Sequence, residues 1–315
     1  MSTPVHVDCC NCKTQIFFNI PLFHKFWQNP LNSISYLTRL GVVSLNLFIP
    51  YSIMSYNLAN KIAIVTGGLT GIGLATTIKL LKQGSKVIVG DFLHEHEIDT
   101  VLNHIHKQVP ENNRNIKFLR INIANYQDNV NLVDFALDEY LDLHYVVTNT
   151  AITTTTATAS NKTETIDQFK DVIDTNLNGV FALNKLAINY WEEFHKPGSI
   201  VNVSNILGLT TTKGLASYRV CQGGVQSLTQ SLALAYANKD IRLNSVIPGY
   251  VKISPMLGQI NQHIATTAIK QHPMARLGNP DEIANAIAFL LSDEASFVNG
   301  ASLVVDGGYS AQMGD

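Results

Sequence analysis

A doubly wound parallel sheet covered by helices on both faces, a three-layer α/β/α arrangement in a single domain, is the fold class this sequence predicts. Three observations predict it. From Lys61 onward, short β-branched runs alternate with longer periodic stretches. The runs are apolar without interruption, as strands buried on both faces of a parallel sheet must be. A glycine-rich turn joins the first run to the first helical stretch.

The elements follow in order. A strand over Lys61–Thr66 leads into a helix over Gly71–Gln83, with Gly84 where a C-terminal cap belongs. The next strand is Lys86–Gly90. The stretch behind it carries His94, His96, His104 and His106. That i,i+2 spacing does not put two ligands on one helix face, so a solvated helix is expected there and no metal site. Strand Lys117–Asn122, helix Gln127–Leu141 and strand Tyr145–Asn149 come next, then helix Leu177–Phe194 and strand Ser199–Ser204. Helix Tyr218–Ala237, strand Arg242–Ile247, helix Asp281–Leu291 (opened by Asn279-Pro280) and strand Ala301–Val305 complete the series. Such alternation builds right-handed crossovers, and the spacing shows no internal repeat and no second domain.

Composition shifts near residue 54. Residues 1–53 hold one acid, Asp8, against the three bases Lys13, Lys25 and Arg39, with aromatics such as Phe17, Phe18 and Trp27. The apolar stretch Gly41–Met54 is broken by Asn46 and Pro50 and falls short of the roughly 20 residues that span a bilayer. An interfacial segment, an acid-poor targeting peptide and non-native upstream sequence are all open, although sparse arginine and serine count against targeting. Met54 would serve as an ordinary start for the domain behind it. Residues 1–53 are therefore expected to be an extension that folding of 54–315 does not need.

With 46% apolar residues in 315, the chain can bury a sizeable core. Its formal charge of −2 and lack of a basic run exclude an obvious nucleic-acid surface. Four cysteines are too few for a disulfide scaffold, and no secretory signal with a cleavage site is visible. A reducing compartment follows, the cytosol by default and mitochondria as the alternative. Cys9, Cys10 and Cys12 cluster near His6, but no second ligand pair follows, so no metal is expected.

The turn after the first strand reads Thr66-Gly67-Gly68-Leu69-Thr70-Gly71-Ile72-Gly73. Glycines there allow a tight turn and let main-chain N–H groups approach a pyrophosphate at the helix N-terminus. Asp91 ends the second strand at the distance expected of a carboxylate that accepts hydrogen bonds from the adenosine ribose and repels a 2′-phosphate. No Arg or Lys sits in the glycine loop or directly after Asp91. The expected cofactor is NAD.

The Thr-Gly-x-x-x-Gly-x-Gly spacing resembles the classical short-chain dehydrogenase/reductase family, and the resemblance runs from about Leu58 to the C-terminus. Asn176-Leu177-Asn178-Gly179 is similar to that family's central helix motif, whose asparagine supports a proton relay. Pro248-Gly249 resembles its nicotinamide-side motif, with Val251 placed to meet the carboxamide. Asp306-Gly307-Gly308 resembles its C-terminal strand ending. The resemblance implies a Rossmann-type fold and NAD-linked hydride transfer on a secondary alcohol or ketone. It also implies pairing of the long helices into a homodimer or homotetramer.

Departures from the pattern matter as much. The family's Asn-Asn-Ala-Gly segment is here Thr148-Asn149-Thr150-Ala151, and Ala151 adds a Cβ close to where the cofactor lies. Asn122, with Ile123 beside it, stands where an adenine-binding aspartate is common; its amide oxygen can still accept a hydrogen bond. Ile253-Ser254 replaces a phosphate-side threonine. The segment Ser254–His272 holds the place of the substrate lid, and Thr153–Thr156 that of a substrate loop.

At the catalytic end, Tyr218 sits thirteen residues after Asn205, the family's spacing from its catalytic serine. The serine position is thus Asn205, and Ser204 should face the other way. Four residues after Tyr218 stands Gln222 where the resemblance implies lysine; Arg219, one residue on, does not share that helix face. A free tyrosine of pKa about 10 is phenolate in about one molecule per thousand near pH 7. Losing the lysine's charge would forfeit much of the roughly 10²- to 10⁴-fold that acid–base catalysis contributes. An impaired oxidoreductase is expected, with an inactive NAD(H)-binding sensor or oligomer partner as the alternative.

Overall fold

The computed structural model of the chain describes residues 56–112, 114–153, 164–210, 215–252 and 269–312. The extension 1–53, the hydroxyl run at 154–156 and the lid positions 253–268 lie outside the described residues.

The strands are β1 (Ile62–Thr66), β2 (Lys86–Asp91), β3 (Ile116–Arg120), β4 (Tyr145–Thr148), β5 (Gly198–Val203), β6 (Ile241–Pro248) and β7 (Ser302–Val305). They form one seven-stranded sheet in the order β3-β2-β1-β4-β5-β6-β7. Every pairing is parallel. Helices connect them: α1 (Gly71–Lys82), α2 (Glu95–Gln108), α3 (Tyr126–Tyr140), α4 (Ile166–Ile173), α5 (Gly179–Glu193), α6 (Ala216–Tyr236) and α7 (Pro280–Leu291). The seven strands and the five long helices expected from the sequence lie within two residues of their expected ends.

Period-2 alternation along the strands explains the three layers. Ala63, Val65, Val87, Val89 and Val147 face one core with Leu80 and Leu81 of α1, Ile105 of α2 and Ile287 of α7. Ile62, Ile64, Ile88, Val146 and Ile200 face the other with Leu132 of α3, Trp191 of α5 and Leu232 of α6. Fully buried side chains of this kind contribute about 1.5–3 kcal/mol each. Both faces of the sheet are therefore sealed, and reactive groups collect beyond the C-terminal ends of the strands.

Two elements went unanticipated. Helix α4 has eight residues, too short for its pattern to stand out. Its start was nonetheless written in the sequence as a capping box: Thr165 Oγ1 accepts from Gln168 N at 3.2 Å, and Thr165 N donates to Gln168 Oε1 at 3.0 Å. Between α4 and α5 the chain makes a π-helical turn over Asp174–Asn178, so Leu177, the expected helix start, falls within it.

Candidate active site

The glycine loop is shaped by two left-handed glycines and one close approach. Gly67 (φ +60°) and Gly71 (φ +49°) occupy the left-handed region that favours glycine. A Cβ on Gly73 would lie 2.0 Å from Gly67 O and 2.6 Å from Asn149 Nδ2, so the first turn of α1 rests directly on the loop. Thr70, at the N-cap, makes no side-chain cap bond, which leaves the helix end without a side-chain anion of its own. Leu69, Thr70 and Ile72 complete the turn, and Leu69 is buried beneath it.

Strand order sets Asp91 beside this loop. Its Oδ2 accepts from Leu69 N at 3.0 Å and its Oδ1 from Phe92 N at 2.8 Å. Burial pushes the carboxyl pKa up, and the main-chain N–H groups pull against that shift. Asn149, after β4, donates its N–H to Thr66 Oγ1 at 3.1 Å and its Nδ2 to Gly67 O at 3.2 Å. The loops after β1 and β4 are thereby laced together. Asn122 serves its own turn: its N–H donates to Asp128 Oδ2 at 2.7 Å, and its Oδ1 accepts from Ala124 N at 3.1 Å. Ile123 is buried, and its carbonyl faces Gly179, where an added Cβ would come within 2.5 Å of it.

The catalytic candidates lie on β5, the π turn and α6. Asn176 Nδ2 donates to Ile152 O at 2.8 Å, and its Oδ1 accepts from Ile152 N at 2.8 Å. Asn205 Oδ1 accepts from Leu207 N at 3.0 Å, and among the described residues its Nδ2 hydrogens, the donor end of the amide, have no acceptor. Ser204 does face the other way, as strand alternation requires: its Oγ donates to Gln222 O at 2.9 Å and accepts from Gln226 Nε2 at 3.2 Å. Arg219 is committed to carbonyls, donating to Leu207 O at 3.2 Å and Thr210 O at 2.6 Å.

Burial pushes the Tyr218 phenol up to about 12, with the nearby Cys221 thiol adding to the shift. That revises the expectation of an ordinary tyrosine. Its phenolate is about one in 10⁵ near pH 7 rather than one in a thousand. Gln222, 2% exposed, has its Oε1 buried with no hydrogen-bond partner among the described residues.

Pro248 ends β6, and Gly249 N donates to Val305 O at 3.1 Å. A Cβ on Gly249 would lie 2.9 Å from Asp306 Cα, so the Asp306-Gly307-Gly308 turn is packed against that glycine. Val251 bridges to Gly278, which holds the start of the 251–252 segment against the chain entering α7.

Sequence reasoning missed two groups here. Glu164 accepts hydrogen bonds from Ser217 N at 3.0 Å and from Ser217 Oγ, and so caps the helix that carries Tyr218. Arg120, at the end of β3, is the register partner of Asp91 and lies 4.7 Å from the centroid of the exposed Phe92 ring. Aligning the ends of β2 and β3 would have found Arg120, whereas nothing local pointed to Glu164.

Residues 67–310 match the family model described as enoyl-(acyl carrier protein) reductase. Cyclohexanol dehydrogenase of Acinetobacter sp. (strain SE19) is 36% identical over 269 residues, covering 82% of this chain and 99% of that protein. Cis-4-hydroxycyclohexanecarboxylate dehydrogenase of Sinomonas cyclohexanicum is 34% identical over 253 residues, covering 80% and 98%. Among solved structures, one titled ElxO with NADP bound superimposes with a TM-score of 0.72 at 26% identity, over 80% of this chain and 100% of that one. With the glycine loop, the Asn176 turn and the Pro248-Gly249 ending all present on a seven-stranded parallel sheet, the chain belongs to the classical short-chain dehydrogenase/reductase family.

Proposed function

We propose that the chain binds NAD(H) across the C-terminal ends of β1, β2, β4 and β6 and slowly interconverts a small secondary alcohol and its ketone. One observation carries this reading: the buried Oε1 of Gln222, four residues after Tyr218, has no hydrogen-bond partner among the described residues. An acceptor left unpaired inside a protein costs about 1–3 kcal/mol, which a ribose hydroxyl donating to it would relieve. The residues present fit the dinucleotide in a second respect. At Gly68 and Gly73 the cradle has no room for a Cβ, so the first turn of α1 lies directly on the loop and main-chain N–H groups gather where a pyrophosphate would approach.

Gly67, Leu69, Thr70, Gly71, Ile72 and Gly73 would line the pyrophosphate, with Thr66 and Asn149 behind them. Asp91 would take the adenosine ribose, Asn122 and Ile123 the adenine, and Pro248, Gly249 and Val251 the nicotinamide side. When bound, the nicotinamide supplies or accepts the hydride. Asn205 Nδ2 donates to the substrate oxygen and steadies charge that builds there. Tyr218 Oη gives that oxygen a proton in reduction and takes it back in oxidation. Asn176 holds the loop after β4 in place. The two relatives named for cyclic secondary alcohols support that substrate class, and the cysteine usage supports the cytosol as the compartment.

The second reading, an NAD(H)-binding protein without turnover, is favoured by one feature: the side chain one turn after Tyr218 is the neutral Gln222, while burial and the Cys221 thiol both push the phenol up. Full-length protein is compared with its Asn205→Ser/Gln222→Lys double variant for NADH binding and for NAD-linked oxidation of a cyclic secondary-alcohol panel. Slow turnover in the natural chain, accelerated in the double variant, is the expected result. Turnover in the double variant alone establishes the second reading, and absence of NADH binding in the natural chain removes both.

A further inference from the structure

The helix that carries Tyr218 begins without a cap of its own. Leu215, at its N-cap, has a left-handed backbone (φ +58°) and makes no side-chain cap bond, and no acid stands in the first turn. The first N–H groups of a helix have no partner within it, so a first turn left uncapped frays. Glu164 closes this one from outside the helix. Its Oε2 accepts from Ser217 N at 3.0 Å and its Oε1 accepts from Ser217 Oγ, and Ser217 is fully buried. Two bonds to one residue fix both its height and its rotation about the helix axis. Tyr218 is the next residue, so the same contact sets the direction of its ring.

Glu164 is itself held. It directly precedes Thr165, whose capping box with Gln168 fixes the start of α4. From there α4 runs along α6: Cys221 Sγ, one turn on from Ser217, donates to Val172 O at 3.6 Å, and both residues are buried. The eight residues of α4 rise about 12 Å and lead into the π turn that holds Asn176. One short helix therefore joins Tyr218, tied to the residue before its start, to Asn176, just past its end.

We propose that Glu164 is a positioning residue for Tyr218: its two bonds to Ser217 hold the phenol in line with the substrate oxygen. The proposal rests on the oxidoreductase reading above. Glu164 acts only through the backbone of α6, while Tyr218 moves the proton. A shift of about 1 Å at a reacting group costs up to about a hundredfold in rate, so a remote clamp of this kind is read in kcat and not in binding.

The test is NAD-linked oxidation of a cyclic secondary alcohol, with NADH binding measured beside it by nicotinamide fluorescence. Glu164→Ala, Glu164→Gln and Ser217→Ala are made in the full chain and again in its Asn205→Ser/Gln222→Lys variant. Glu164→Ala lowers kcat roughly tenfold or more, while the alcohol KM and the NADH affinity change less than about threefold. Glu164→Gln recovers most of that rate, because its amide accepts from Ser217 N and donates to Ser217 Oγ. Ser217→Ala keeps the N–H bond and loses less rate, and adding it to Glu164→Ala costs less than it costs alone. A Glu164→Ala protein within about twofold of its parent in kcat overturns the proposal, as do Ala and Gln variants that are equally slow. Where Glu164→Ala loses NADH binding too, its fold has failed and Ser217→Ala decides: an unchanged kcat there overturns the proposal. Absence of turnover in both parents overturns the oxidoreductase reading and this proposal with it, an outcome distinct from turnover that ignores Glu164.

Discussion

Asn176 and Ile152 hold each other by a reciprocal pair of hydrogen bonds, amide to main chain, each 2.8 Å long. The pair fastens the segment after β4 to the π turn before α5, where Asn176 is 2% exposed. A π turn widens the helix by one residue, and such bulges are retained where a side chain must be placed outside the regular ladder. Asn176→Ala removes one donor and one acceptor and leaves the Ile152 groups without them. The expected cost is about 2 kcal/mol in urea-unfolding stability, with NADH affinity reduced as the segment from Asn149 onward loosens. An unchanged unfolding midpoint would show that the pair contributes nothing to the fold.

Gly73→Ala is a sharper probe of the nucleotide end. The added Cβ would sit 2.0 Å from Gly67 O, a main-chain atom that gives way only if the loop moves. NADH binding is expected to fall at least about tenfold, in line with a lost loop–phosphate geometry. Gly71→Ala behaves differently. A Cβ there meets nothing within 4 Å, so only its positive φ of +49° opposes the change. Its expected effect is a modest stability loss of about 1 kcal/mol with smaller loss of binding. Isothermal titration on both variants separates the two, and a Gly73→Ala protein that binds like the natural chain refutes the crowding argument.

The fold was legible because parallel strands buried on both faces cannot hide: their apolar runs stand out without any need of long-range information. Thr66, Gly67, Asp91 and Asn149 converge because strand order forces it, and a glycine turn followed by a strand-ending acid encodes that order. What escaped was set by contacts between distant segments. Glu164 and Ser217 are 53 residues apart and meet only after α4 and α6 have packed. Arg120 became visible only when β3 paired with β2 in a register that no local pattern states. The 12-like pKa of Tyr218 likewise belongs to burial, a property of the assembled α6 and not of its sequence.

Helix α6 is 21 residues long and carries a single charge, Arg219. On it Val220 is 54% and Leu234 84% exposed, while Phe181 of α5 is 46% exposed. Apolar residues on long helices with so little charge are expected to meet a second copy of the chain. Light scattering should give a dimer or tetramer, and Val220→Glu should shift it toward monomer. A monomeric natural chain at working concentrations would leave these helices solvent-facing and the expectation wrong.

Alkaline pH should destabilise the fold through its buried and half-buried phenols. Tyr140, Tyr145 and Tyr218 are each pushed up to about 12, with burial the largest cause in every case. Their folded pKa values exceed the unfolded value of about 10, so the folded chain holds protons that the unfolded chain releases. The stability they contribute is complete below about pH 10 and is lost as pH climbs toward about 12. Urea unfolding across that window should show a falling midpoint, and Tyr145→Phe should flatten the fall. A midpoint that stays level through the window would mean the phenols titrate normally.

The same shift at Tyr218 sets how turnover depends on pH. Reduction needs the neutral phenol, which is present throughout the neutral range, so its rate should be nearly flat from about pH 6 to about pH 10. Oxidation needs phenolate, whose fraction rises about tenfold per pH unit below the pKa. Alcohol oxidation at saturating NAD should therefore climb with a slope near one over that range. Gln222→Lys places a cation one turn from the phenol, which lowers the pKa and should bring the plateau of oxidation down to lower pH. Tyr218→Phe removes the proton carrier and should abolish the slope along with most of the rate. A natural enzyme whose oxidation rate is already level at neutral pH would show that something other than Tyr218 takes the proton. The residue to examine next would be whichever titrating group the plateau pH identifies.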